Sequence, residues 1–263
     1  MVTVKDIFSY FEKIVPTSMK LGNDNPGFLL GDGNNTVNKV LVALDITDEV
    51  VDEAVNFGAD LIVSHHPLFF SIESASTETL VGRKIVKLLN KKISAICLHT
   101  NLDSVDGGVN DALMNILGAT IDGILDPYGK HPDGTPYGIG RFGRVEKTEL
   151  SDFLKLCKTA LNCNGLRYVD TGRPVHKIAV CGGSGGSMLS EVAALGCDTY
   201  VTSDIKHNGF LDAKELCINL IDAGHFSTEN VVVPVLRDMI KNAFSDIEVI
   251  LSEKHCQPEQ YYI

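Results

Sequence analysis

Short apolar runs alternating with amphipathic stretches limit this chain to very few architectures. Val40-Leu41-Val42-Ala43-Leu44 is uninterrupted by any polar residue, the pattern of a strand covered on both faces. Residues 48–57 then carry apolar side chains at helical spacing through Val50, Val51, Ala54 and Val55, and Gly58 stands where a helix C-cap favours glycine. Leu61-Ile62-Val63 predicts a second strand, residues 79–91 a helix, residues 93–98 a third strand, and residues 109–117 a helix closed by Gly118. The Gly- and Pro-rich stretch from Asp126 to Gly143 reads as a boundary or a long surface loop. Beyond it, strands are expected at 137–145, 178–181, 199–202 and 218–221. Helices are expected over 150–161 and 231–244, with a closing strand at 247–251. Strands separated by helices imply parallel pairing with right-handed crossovers.

The second half repeats the first. A gapless shift of 138 residues pairs Lys39 with Lys177, Val42 with Val180, Glu53 with Glu191, Gly58 with Gly196, Asp60 with Asp198 and Val63 with Val201. The strand–helix–strand pattern stays in step throughout. The fold class expected is α/β: two similar α/β lobes related by an internal repeat, with mixed and largely parallel sheets covered by helices. Residues 1–125 plus 230–263 form the first lobe in this reading, and residues 126–229 the second.

Charge and cysteine usage narrow the functional classes. In 263 residues, 23 Lys and Arg face 34 Asp and Glu, a formal charge of −11. Such a surface repels phosphate backbones and argues against nucleic-acid binding, while a small anionic substrate in a locally positive pocket stays open. The seven cysteines are odd in number and include no C-x-x-C pair. This excludes a zinc ribbon, argues against a disulfide framework, and points to small buried hydrophobes in reducing cytoplasm. No apolar run approaches the roughly 18 residues of a membrane helix. The amphipathic N-terminus has no signal-peptide core. A soluble cytoplasmic protein is expected.

In open α/β sheets, function gathers where strands end at their carboxyl edge. Three polar clusters stand at such places. Ser64-His65-His66-Pro67 follows the second strand, and His99-Thr100-Asn101-Leu102-Asp103 follows the third. Asp222-Ala223-Gly224-His225-Phe226-Ser227-Thr228-Glu229 follows the strand at 218–221. Where the backbone turns, His65 and His66 reach either one site or one metal each. His225 and Glu229, four apart, share a helix face. Histidine nitrogens with carboxylate oxygens suit zinc, iron or manganese, and five such ligands suit two ions.

These motifs, together with Thr202-Ser203-Asp204-Ile205-Lys206-His207, resemble the GTP cyclohydrolase I type 2 family, also described as dinuclear-metal-centre hexameric ring proteins. The resemblance runs in order through nearly the whole chain. It implies metal ligands at His65, His66, Asp103, His225 and Glu229, two divalent ions per subunit, and a metal site in the cleft between the lobes. It also implies a homohexameric toroid with its metal sites facing inward. Longer members carry an inserted domain for which the loop near 126–136 is too short, so the short form is expected.

Two divalent ions with two carboxylates leave a net positive site. Such a site lowers the pKa of bound water and clamps an anionic oxygen. The reading is therefore a metal-dependent hydrolase, GTP cyclohydrolase-like by resemblance only, acting through a metal-bound hydroxide on a small nucleotide-like or anionic substrate. The alternative is a non-catalytic metal-binding hexameric scaffold or partner-binding protein. Glu229 is taken as the bridging ligand. His99 is the catalytic candidate, as proton shuttle, orienting group or substrate contact, against a purely structural role. Asp45 is either a cleft residue or part of a helix cap. Lys206 either meets an anion or is a solvated loop charge, with Asp204 and His207 beside it at the repeat-equivalent place. Cys181-Gly182-Gly183-Ser184-Gly185-Gly186 lies where phosphates bind but lacks a P-loop ending; its glycines either cradle phosphate or allow close approach of the chain.

Overall fold

The computed structural model describes residues 1–262. Its contacts form two compact units: residues 1–102 with 233–256, and residues 103–232 with the chain from 257 on. The first unit opens with α1 (Val4–Ile14), whose N-cap Thr3 and Asp6 close a reciprocal capping box. The short strand β1 (Gly27–Leu30) follows. Then β2 (Lys39–Ala43), α2 (Asp48–Phe57), β3 (Leu61–Ser64), α3 (Leu80–Asn90) and β4 (Ser94–Cys97) run in the alternation read from the sequence. α4 (Thr100–Ser104) leads into the second unit. That unit contains α5 (Val109–Ile116), β5 (Thr120–Lys130), β6 (Pro136–Thr148), α6 (Leu150–Ala160), β7 (Arg167–Val169), β8 (Val175–Val180) and α7 (Leu189–Ala194). It continues through β9 (Thr199–Thr202), α8 (His207–Glu215), β10 (Asn219–Asp222) and α9 (His225–Glu229). The chain returns to the first unit with α10 (Val233–Ala243) and β11 (Glu248–Leu251).

Each unit holds one mixed sheet. The first runs β1-β4-β3-β2-β11 and is parallel except where β1 meets β4. The second runs β5-β6-β8-β9-β10-β7 and is parallel only across β8-β9 and β9-β10. Largely parallel pairing therefore describes the first sheet and not the second, because a hairpin and the short strand β7 flank the repeat-derived core there.

That hairpin is the stretch expected to be a boundary or surface loop. Residues 126–143 lie mostly within β5 and β6, which pair antiparallel from Thr120↔Arg144 to Lys130↔Pro136. Pro127 sits at a register irregularity and Pro136 at a strand start, the places a sheet tolerates proline. A Cβ on Gly138 would stand 2.1 Å from the Asp126 carbonyl oxygen, and one on Gly143 1.8 Å from that of Thr120. Glycine here marks close approach of strands rather than a loop. The lobe division at 125/126 falls inside β5.

The internal repeat has a structural counterpart in both units. β2, α2 and β3 correspond to β8, α7 and β9. Gly58 and Gly196 both take left-handed φ, 72° and 69°, after their helices. The Asp60 carboxylate accepts from the backbone N–H of Lys39 at 3.0 Å, and that of Asp198 from Lys177 at 2.7 Å. The Lys39 and Lys177 ammonium groups reach the carbonyls of Phe57 and Leu195 near the ends of the equivalent helices. The repeated identities are thus the residues that tie each crossover to its first strand.

Both faces of the central strands are buried. Ile178, Val180, Val201 and Ile221 pack with Leu113, Met114 and Phe153 on one side of the second sheet. Their neighbours Ala179, Tyr200 and Leu220 pack with Leu189, Val192 and Ala213 on the other. In the first sheet Leu41, Ile62 and Ala95 pack under α2 and α3, while Val40, Val42, Leu61, Val63 and Ile96 are buried on the opposite face. Five of the seven cysteines are buried, Cys217 and Cys256 are exposed, and among the described residues all seven are free thiols. Burial pushes the Cys197 thiol up to about 11. Among the described residues no helix is long and apolar enough to cross a membrane.

Candidate metal centre

The first unit builds a histidine cluster from parallel register. β3 and β4 end level, Ser64 opposite Cys97, and the ladder continues as the Leu98 N–H donates to the Ser64 carbonyl at 2.9 Å. Residues 65–66 and 99 therefore emerge side by side. Their ring centroids lie 5.1, 5.3 and 5.5 Å apart, and one ring nitrogen from each of His65, His66 and His99 lies within 4.8 Å of the others.

Each ring is oriented through Nδ1. That of His65 lies 2.7 Å from the Leu98 carbonyl oxygen, His66 2.7 Å from Asp45 Oδ1, and His99 2.7 Å from Asp24 Oδ1. A carbonyl accepts only, so His65 carries its proton on Nδ1 and presents Nε2 as the lone pair. Carboxylates impose the same tautomer on neutral His66 and His99. This is the arrangement that holds metal-binding histidines in place. Asp45 is thus a positioning group for His66. Asp24 is buried, which opposes its charge, yet hydrogen bonds from His99 and Thr100 hold its carboxyl well below the usual range. His65 is fully buried, while His66 and His99 reach the surface in part.

The second unit builds a histidine–carboxylate group at the end of β10. Gly224, at φ 85°, turns the chain into the single-turn helix α9. His225 Nε2 lies 3.0 Å from Glu229 Oε2, and its Nδ1 lies 2.7 Å from Asp204 Oδ2 after β9. Asp222 locks both loops: its carboxylate accepts from the N–H groups of Ile205 and Gly224, and pairs with Arg167. Glu229 is buried. Asp103, on α4, is buried too, and Asn110 ties its backbone carbonyl to the Gly182 N–H. Burial, and then the charges of Asp103 and Glu229, push the Cys181 thiol up, so both carboxylates act on the same neighbourhood. Lys206 and His207 lie exposed at the start of α8.

Burial opposes protonation of His225, but the facing carboxylates of Glu229 and Asp204 outweigh it and raise its pKa from 6.5 to about 9. The folded, metal-free protein then keeps a proton that the unfolded chain releases. The resulting stability is complete below pH 6.5 and lost as pH rises through about 9. The thermal midpoint of metal-stripped protein is expected to fall over that interval, and the fall to vanish in His225→Gln. Metal uptake must displace the same proton, so zinc binding should tighten over the same range.

The glycine loop braces this group. The N–H groups of Gly182, Gly183 and Gly185 donate to Asn110, Thr228 and Thr202 side chains, each at 3.0 Å. Those three amides are committed within the protein, which favours close approach over phosphate cradling. Gly183 has φ 65°, and a Cβ there would stand 2.1 Å from Glu229 Oε1. Gly183→Ala is expected to cost about 1–2 kcal/mol from the left-handed backbone alone. It should also displace Glu229, weakening metal retention measured by elemental analysis after dialysis.

The predicted ligands thus fall into two donor groups, His65 and His66 with His99 in one unit, and His225 with Glu229 in the other, Asp103 lying on the α4 connection. Imidazole nitrogens with fixed tautomers and buried carboxylate oxygens are the donors that zinc, iron or manganese take. Sequence reasoning missed Asp24, Asn110 and Asp222 as positioning residues. Asp222 alone had a signal, its place at a strand end.

Residues 2–258 match the Duf34/NIF3 (NGG1p interacting factor 3) family. The chain is 38% identical over 262 residues to a GTP cyclohydrolase 1 type 2 homolog of Clostridium perfringens, covering 98% of this chain and 99% of the relative. A Staphylococcus aureus hypothetical protein of solved structure is 30% identical, with a TM-score of 0.91 and 99% of both chains covered. A Bacillus cereus protein related to NIF3 superposes with a TM-score of 0.93 at 24% identity, over 100% of this chain and 99% of the other.

Proposed function

The chain belongs to the Duf34/NIF3 family, and we propose that it is a metal-dependent hydrolase of a small anionic, nucleotide-like substrate. Two divalent ions per subunit would be held by His65, His66, Asp103, His225 and Glu229. The observation that carries this reading is the treatment of the strand-end histidines. His65, His66, His99 and His225 all have Nδ1 engaged by a carbonyl or carboxylate oxygen at 2.7 Å. His176 makes the same contact with the Val145 carbonyl; what sets these four apart is that they stand together at strand ends in groups of metal-ligating side chains. Four rings aligned through one nitrogen are prepared to offer the other.

When bound, divalent ions would acidify a water and offset negative charge at a phosphate or a developing tetrahedral centre. The residues around them have their own tasks. Asp24 keeps His99 oriented with Nε2 outward, where it accepts or returns a proton beside the histidine cluster. Asp45 does the same for His66. Glu229, buried and braced by the glycine loop, presents its carboxyl group where few waters compete. The chain carries a formal charge of −11, so selection of an anionic substrate would fall to the metal-bearing group itself. The Clostridium relative is named a GTP cyclohydrolase 1 type 2 homolog, which makes GTP the first substrate to test. A homohexameric ring is the assembly proposed with it.

The test is metal content per chain by elemental analysis of protein purified without chelators, with native mass measured in parallel. Two ions per chain, a sixfold mass, and hydrolysis of GTP or of a phosphoester that stops on chelation are the expected results. Protein that holds no metal after reconstitution with zinc, iron or manganese would sink the hydrolase reading.

A further inference from the structure

The segment after the paired histidines positions an aromatic ring beside the cluster. Leu68 is buried, and Phe69 packs on the apolar core beneath α2 and α3, its carbonyl accepting from the Asn25 side chain at 2.8 Å. The next residue, Phe70, goes the other way. The residue is 64% exposed, with its ring centroid 5.8 Å from that of His99 and its plane steeply inclined to it, at 68°. A singly exposed phenylalanine is ordinary on a protein surface. This one stands against a histidine whose other nitrogen is fixed by buried Asp24, on a backbone held by its two inward-facing neighbours. It carries no charge with which to recognise phosphate, and it presents an exposed aromatic side chain beside the cluster.

We propose that Phe70 is a stacking platform that selects substrates carrying a flat, nucleobase-type ring for the histidine cluster. This rests on the reading of that cluster as a substrate-facing centre, and it names the part of the substrate recognised outside the metal donors. A flat heteroaromatic ring laid on Phe70 would cover apolar surface now in water and would lie next to His99. Alanine scanning of base-stacking aromatics elsewhere gives losses that correspond to roughly 10- to 100-fold in affinity.

The chain has no tryptophan, so Phe70→Trp creates a fluorophore whose emission reports on this position alone. The protein is titrated, metal-stripped and zinc-loaded, with guanosine, GTP and inorganic tripolyphosphate. Saturable quenching by guanosine and GTP, with none from tripolyphosphate, is the expected result. In parallel, Phe70→Leu keeps the apolar bulk and removes the π-face. It should weaken GTP binding, measured by equilibrium dialysis, about tenfold while leaving zinc content per chain unchanged. Emission indifferent to both nucleobase compounds would overturn the proposal, as would equal quenching by tripolyphosphate or wild-type GTP affinity in Phe70→Leu. Emission already shifted to the blue and unresponsive would mean that another copy of the chain covers the ring, which also overturns it. Failure of the hydrolase reading is separately visible as protein without metal, because the quenching is read in metal-stripped protein too.

Discussion

His65→Ala is expected to abolish hydrolytic turnover and to weaken zinc retention by more than about 100-fold. Loss of an outer partner to a metal-bound histidine costs roughly 10- to 100-fold in metal affinity, and this substitution would remove a proposed ligand itself. His65 is the fully buried member of its cluster, and its Nδ1 is committed to the Leu98 carbonyl. The β3–β4 register sets His65 where it stands. The structural cost is modest by comparison: an unsatisfied carbonyl and a small void, about 1–3 kcal/mol. The variant should therefore fold, with circular dichroism close to wild type, and elemental analysis after dialysis against buffered zinc should show the deficit. Asp24→Asn is the graded control, since it leaves the proposed ligands in place and disturbs His99 through its Nδ1 partner, together with the Thr100 contacts. It should fall between wild type and His65→Ala. A His65→Ala protein that kept its full metal would remove His65 from the ligand set.

What sequence reading could reach, and what it could not, follows from how far apart the interacting residues lie in the chain. The strands β2, β3, β8 and β9 were legible because their apolar runs are continuous, and continuity is what burial on both faces requires. The repeat was legible because Asp60 and Asp198 perform one local task, bonding the first strand from the start of the next. Histidines 65, 66, 99 and 225 stood out because strand ends concentrate polar residues in an otherwise apolar pattern. Asp24 did not, because its role depends on β1 pairing antiparallel with β4, a long-range contact that no local period encodes. The Gly- and Pro-rich stretch 126–143 reads as a boundary or loop, with a strand expected only at 137–145, because Gly and Pro usually punctuate; here the glycines are demanded by carbonyls across the strand, which become visible only once the register is known.

The same blindness to long-range demand hid Arg141, whose replacement by methionine is expected to be the most destabilising single change outside the metal donors. Its side chain, fully buried at 1% exposure, is neutralised and almost fully hydrogen-bonded. Nε donates to Asp111 at 2.6 Å, Nη1 to the carbonyls of Gly138 and Gly140, and Nη2 to the carbonyl of Val105 and, at 3.4 Å, to Asp106. A buried ion pair by itself is weak evidence of stabilisation, because desolvation offsets much of the attraction. Breaking one from a single side is different, since Asp111 and three carbonyls would keep their burial and lose their donor. About 3–5 kcal/mol is the usual loss, which for a chain of this size lowers the thermal midpoint by roughly 10 °C or more. Arg141→Lys should recover little, because a point-like ammonium cannot serve a planar fork of acceptors. Arg141→Met combined with Asp111→Leu should recover much of the loss, because it removes the abandoned charge. The arginine also holds the loop directly after Asp103 through Val105 and Asp106. Metal retention in Arg141→Met should therefore fall together with stability, whereas in the double variant stability should return further than metal retention does. If both returned in step, Arg141 would act on Asp103 only through the fold; if neither fell at all, the network would contribute nothing that its desolvation does not cancel.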